Sequence, residues 1–173
     1  MDNIIEYPNT LNGMLCDDII ERYEGLEMNK PFIIPKKVEW MKIESVLYKE
    51  LLTKINDYKN KLIQNSNSEV NIKLLKLLNT NLFIKDFVIY KYSPSNQCKS
   101  YFRQNSRHNV LSFIFYLNTI EKGGETVFDI KTIKASKGTL LIFPDSIHYK
   151  PGLPQELQNQ FIISGQLSNI ITI

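Results

Sequence analysis

Hydrophobic positions change their period near residue 80. Before it they recur every three or four residues, the repeat that lays one face of a helix against a core. From Leu82 onward they alternate or run together, as strands require. Residues 3–8, NIIEYP, predict a short apolar strand stopped by Pro8. Asn12 suits the N-cap of a helix through MLCDDIIERYEGL, with Leu15, Ile19, Ile20 and Tyr23 on one face and Gly25 at its end. FIIP, within residues 27–37, is a short extended piece. The longest helix should run from about Trp40 to Leu62, with Val46, Leu47, Leu51, Ile55, Tyr58 and Leu62 facing inward and lysines and glutamates filling the rest. After the polar turn NSNSE (65–69), a second amphipathic stretch from Val70 to Leu78 buries Leu74, Leu75 and Leu78, and Asn79-Thr80-Asn81 ends it.

The second half reads as strands. LFIKDFVIYKY predicts one strand over residues 82–92, followed by a turn, SPSN, and a polar tract, QCKSYFRQNSRHN (97–109). LSFIFYLN, from Leu111, is too apolar for a half-exposed strand. It should lie in the middle of a sheet, because an exposed edge of this composition would aggregate. EKGGETVF is a turn and a short strand, Gly123-Gly124 supplying the positive φ that a tight reversal needs. KGTLLIFP is a further strand that opens with Gly138 and stops at Pro144.

Composition sets bounds on function. A chain of 173 residues, 43% hydrophobic and 23% charged, has the make-up of one ordinary globular domain. No apolar run approaches the roughly 20 residues that span a bilayer, and no signal peptide is visible, so cytosolic residence, or that of a host cell, is expected. A net charge of +3, with lysines spread along helix faces, does not argue for nucleic-acid binding. Cys16 and Cys98 are far apart, in no metal-ligand spacing, and a disulfide framework is not expected; Cys16 reads as a small core residue.

The pattern YLN…GGET-x-F…KGTLLIFP…His148 resembles the C-terminal half of the prolyl 4-hydroxylase-like branch of the 2-oxoglutarate/Fe(II) oxygenases, with FIISGQL (161–167) as its closing strand. The similarity extends from about residue 5 to residue 167. It implies an α+β, mainly β fold: a double-stranded β-helix (jelly roll) over residues 82–167, with a helical support region over residues 1–80, in one domain.

The same resemblance implies a site, and the chain departs from it. The family holds Fe(II) with two histidines and a carboxylate, the first pair as His-x-Asp or His-x-Glu. Here Tyr101-Phe102-Arg103 occupies that place, and no His-x-Asp or His-x-Glu occurs anywhere in the chain. A phenol with an ordinary pKa near 10 is a poor Fe(II) ligand at neutral pH, and Arg103 puts a permanent cation where a charge-balancing carboxylate belongs. His148 matches the distal histidine, either as a surviving ligand or as a relic held by a neighbour. The family's Lys or Arg for the far carboxylate of 2-oxoglutarate is replaced by Gln160, with Gln158 the alternative and Lys150 a weak substitute. Tyr92 matches a pocket-lining tyrosine and reads equally well as a core aromatic. A rebuilt triad would have to draw on His108, His148 and either Asp129 or Asp145.

Three functions follow from these residues. The first is a catalytically inactive relative, a binding or regulatory module that grips a protein or peptide in the former substrate groove and needs no cofactor. The second is an active hydroxylase using Fe(II) and 2-oxoglutarate at a non-standard metal site. The third is a jelly-roll binder of a small anion or sugar, with Tyr92, Arg103 and His148 lining the cavity. Neither a nucleic acid nor a membrane is an expected partner, and the sequence leaves the oligomeric state open.

Overall fold

The structure is a computed structural model that describes residues 3–94 and 106–169. Its first strand, β1 (Ile5–Tyr7), leads into helix α1 (Gly13–Gly25). Asn12 caps that helix as expected, its side-chain oxygen accepting from the Met14 amide at 2.8 Å. After β2 (Phe32–Ile33) come the long helix α2 (Val38–Gln64) and α3 (Glu69–Leu78). The remaining elements are β3 (Phe83–Ile84), β4 (Val88–Tyr92), β5 (Asn109–Tyr116), β6 (Thr126–Phe128), β7 (Thr132–Ile133), β8 (Leu140–Pro144), β9 (Tyr149–Pro151) and β10 (Gln160–Ser168).

Two antiparallel sheets face each other. The major sheet has the order β1-β8-β5-β10-β4-β2, with β3 also pairing with β10, and the minor sheet has the order β7-β6-β9. This is the expected jelly roll. Strand β5 lies between β8 and β10, so the apolar LSFIFYL run is central and buried on both faces. Alternation along the strands separates two cores. Phe113, Phe115, Ile142, Phe161 and Ile163 face the helices, where α1 buries Cys16, Ile19 and Tyr23 and α2 buries Leu47, Leu51, Ile55 and Tyr58. Ile114, Tyr116, Leu141, Phe143 and Ile162 point the other way, into the space between the sheets. Among the described residues no helix is long and apolar enough to cross a membrane.

The sequence reading needs correction at three places. The run over residues 82–92 is two strands, β3 and β4, broken at Lys85-Asp86-Phe87. The break faces Gly165 of β10, where a Cβ atom would stand under 3 Å from the Asp86 carbonyl oxygen, so the chain crosses where the partner strand has no side chain. Strands β7 and β9, of two and three residues, have no counterpart in the reading, being too short to carry a period. Both helices after β2 start one or two residues earlier than expected.

Candidate functional site

The candidate site is the interior between the two sheets, built around the second hydrophobic cluster. Strand pairing fixes which side chains enter it. Gln160 lies opposite Tyr92, Ile162 opposite both Tyr90 and Tyr116, and Phe128 of β6 opposite Tyr149 of β9. Phe128, Phe143 and Tyr149 form an edge-on aromatic cluster, with ring centroids 5.0 Å apart for Phe128–Phe143 and 5.3 Å for Phe143–Tyr149. Tyr90 and Tyr92, two residues apart on β4, lie half-buried with rings parallel to within 4° and centroids 6.2 Å apart.

Polar groups inside are tied to one another. Tyr116 and Thr126 share a buried hydrogen bond of 2.6 Å between their hydroxyls. Burial pushes the Tyr116 phenol far above its ordinary range, with the Thr126 bond opposing, so it stays protonated. The Gln160 carboxamide donates to the carbonyl of Gly124 at 2.8 Å, inside the GGET turn. Gly124 has φ +71°, and a Cβ there would stand under 3 Å from Ile120 and 3.1 Å from the Gln160 side-chain oxygen. The turn is therefore held by its own backbone freedom at one end and by Gln160 at the other. Asn118 brackets the start of β10, donating to the Asn159 carbonyl and accepting from the Phe161 amide.

The residues singled out from the sequence separate on this frame. Gln160 is buried in the interior, whereas Gln158 is exposed and donates to the Thr119 carbonyl at the surface. Tyr92 is half-buried on the same inward side as Gln160. His148 is exposed, just before β9, and it is the next residue, Tyr149, that packs against Phe128 and Phe143. Lys150 is exposed, in register with Val127 on the outer side of the minor sheet. His108 is half-buried ahead of β5, and its carbonyl accepts from the Asn169 amide. Asp129 is exposed after β6, and Asp145 is half-buried and accepts from the Ser112 hydroxyl. Tyr101, Arg103 and Cys98 lie outside the described residues. Among the described residues no three of His, Cys, Asp and Glu come together in a group that could hold a metal ion.

Four residues of the site escaped the sequence reading: Tyr149, Phe128, and Tyr116 with its partner Thr126. For Tyr149 a signal existed, since it alternates with His148 and Lys150 in a stretch that ends in proline. The partnership of Gln160 with Gly124 had none, because a side chain bonding to a carbonyl 36 positions away leaves no local pattern.

A dicarboxylate such as 2-oxoglutarate would need a cation for the carboxylate that it buries. The buried polar residues among those described, Ser112, Thr126, Gln160 and Ser164 in this region, are all uncharged. Gln160 stands where the resemblance puts the cation. This described part of the interior does not fit a buried dicarboxylate.

No protein-family model matches the chain, and no curated protein matches it in sequence. Solved structures do match in fold. The viral collagen prolyl hydroxylase of Paramecium Bursaria Chlorella virus-1, as a truncated form, superposes with a TM-score of 0.68 at 16% identity, over 98% of this chain and 91% of that one. Its complex with 2-oxoglutarate gives a TM-score of 0.67 at 17% identity, covering 98% of this chain and 97% of the other. A prolyl-4-hydroxylase of Pseudomonas putida gives 0.60 at 16% identity, with 99% and 95% covered. At such identities the likeness is one of fold: the chain has the double-stranded β-helix of the prolyl 4-hydroxylases, the 2-oxoglutarate/Fe(II) oxygenase fold.

Proposed function

We propose that this chain is a catalytically inactive relative of the prolyl 4-hydroxylases, a binding or regulatory module that grips a peptide segment of another protein in the former substrate groove of its jelly roll. One observation carries the reading: the residue placed for a cosubstrate cation is a neutral glutamine, buried and already bonded to the Gly124 carbonyl. A neutral side chain with one of its two donors spent internally, among described buried residues that carry no charge, offers a dicarboxylate little for the hydration it loses. The absence of His-x-Asp from the sequence supports the same reading. The half-buried Tyr90–Tyr92 pair, packed on the cluster between the sheets, offers an aromatic surface suited to a peptide. The prolyl hydroxylases that share the fold make a proline-bearing peptide the first one to try.

The test is a thermal-shift titration of metal-stripped protein with Mn(II), with and without 2-oxoglutarate. Anything that binds the native state alone must raise the melting temperature. No rise with either ligand is expected. A rise that needs both ligands and vanishes in His148→Ala would overturn the reading and leave an active hydroxylase.

A further inference from the structure

Helix α2 carries a second apolar stripe that stands exposed among the described residues. Its buried side runs from Trp40 and Ile43 through Leu47, Leu51 and Ile55 to Tyr58 and Leu62. On another side Val38, Met41, Ser45, Tyr48 and Leu52 follow one another at spacings of three, four, three and four, which is the a/d repeat of a coiled-coil seam. The apolar members are exposed: Val38 by 83%, Met41 by 59%, Tyr48 by 46% and Leu52 by 40%. Met41, Ser45, Tyr48 and Leu52 line an open groove of about 680 Å³. Tyr48 and Leu52 also line a second hollow that continues past Ile55 to Leu82 and Ile84. The seam spans about 22 Å at 1.5 Å per residue, about four helical turns.

Its borders carry charge of one dominant sign. Lys36, Lys49 and Glu44 line the groove, and Lys59 stands at its far end. Lys42 and Lys49 occupy the e positions that follow Met41 and Tyr48, and both are exposed; Lys37 and Glu44 occupy the g positions before Val38 and Ser45. A second copy of this chain fits poorly. Antiparallel seams would set Lys42 and Lys49 against the same lysines of the other copy, and in parallel seams the repulsion of Lys37 by Lys42 would offset the attraction of Glu44 to Lys49, so neither arrangement gains net charge complementarity. Acidic flanks on the incoming helix would answer these lysines in either direction.

We propose that this face of α2 is a docking surface for an amphipathic helix of another protein, one with apolar residues at a and d and acidic residues at e and g. It lies on the opposite side of the major sheet from the jelly-roll interior and does not depend on what that interior binds.

The probe is a labelled peptide of roughly three heptads with leucine at a and d and glutamate at e and g, beside a twin with lysine at e and g. Fluorescence anisotropy should show the acidic peptide binding tighter by at least on the order of tenfold, and weakening with salt. Met41→Glu with Leu52→Glu should abolish this, while Lys42→Glu with Lys49→Glu should reverse the preference. All four positions are exposed, so the variants should melt with the parent, which a thermal scan checks. Equal binding of the two peptides, or none, overturns the proposal. So does binding that survives both double variants. Self-association in sedimentation that Met41→Glu with Leu52→Glu removes would assign the face to a second copy instead. Flotation with phosphatidylserine vesicles that is lost in Lys42→Glu with Lys49→Glu would assign it to a membrane surface.

Discussion

Gln160 and Gly124, 36 positions apart, are joined by a buried hydrogen bond of 2.8 Å that ties the last strand of the major sheet to the turn leading into the minor one. Apolar packing and the Tyr116–Thr126 pair also join the two sheets. Gln160→Leu keeps most of the volume and leaves the Gly124 carbonyl without its partner. The expected loss is about 1–3 kcal/mol in urea unfolding. A variant as stable as the parent would show that the link contributes nothing.

Gln160→Lys puts a cation back at the same place. An ammonium group in this uncharged lining should cost more stability than the leucine variant at neutral pH. Added 2-oxoglutarate should recover part of that loss by pairing with it, while leaving the parent unchanged; melting temperatures with and without the dicarboxylate decide. A lysine variant indifferent to 2-oxoglutarate would mean that the neighbouring aromatics have closed the space as well.

Gly165→Ala would push a methyl group against both the Asp86 carbonyl and the Phe113 ring, which lie under 3 Å from where the Cβ would stand. Overpacking of this kind costs about 1–3 kcal/mol. Moving the break between β3 and β4 could relieve it only by giving up the Leu167–Ile84 pairing. Denaturant midpoints measure the cost, and an unshifted midpoint would sink the account given for the break.

Cys16 is fully buried on α1, and burial, opposed in part by Lys137, pushes its thiol from 9.0 up to about 11. The folded state therefore holds this proton more tightly than the unfolded chain. The stability it contributes is complete below pH 9 and is lost as pH rises from 9 through 11. Over that window the parent should lose on the order of 2 kcal/mol more than Cys16→Ala does, read by urea unfolding at each pH. Parallel losses in the two proteins would remove the thiol as the cause.

The sequence made the architecture legible because the period of its apolar residues changes once, near residue 80, and the longer elements carry several repeats each. Asn12, Leu47, Leu51, Ile55 and the central β5 strand could be placed from pattern alone. Elements of two or three residues could not, since β7 and β9 exist through pairing with β6 and have no period of their own. The site was legible by position and less so by environment. Spacing left Gln160 and Gln158 both open, and only the pairing of β10 with β4 turns Gln160 inward and leaves Gln158 at the surface. Alternation in the His148-Tyr149-Lys150 stretch signals which residue turns inward, but nothing local shows that Tyr149 meets Phe128 and Phe143 there.

Strand β10 pairs with β5 along almost its whole length, with β4 on its other side and with β3 at its end. Every one of those partners is made before it. During synthesis the ribosome therefore releases two halves of a sheet with an open slot between them, and β5, the most apolar strand, waits with one edge unpaired until residue 168 has emerged. Its Phe113, Phe115 and Tyr116 are then the natural target for a chaperone, and a chain cut short before Gln160 should precipitate, since it cannot fold in part.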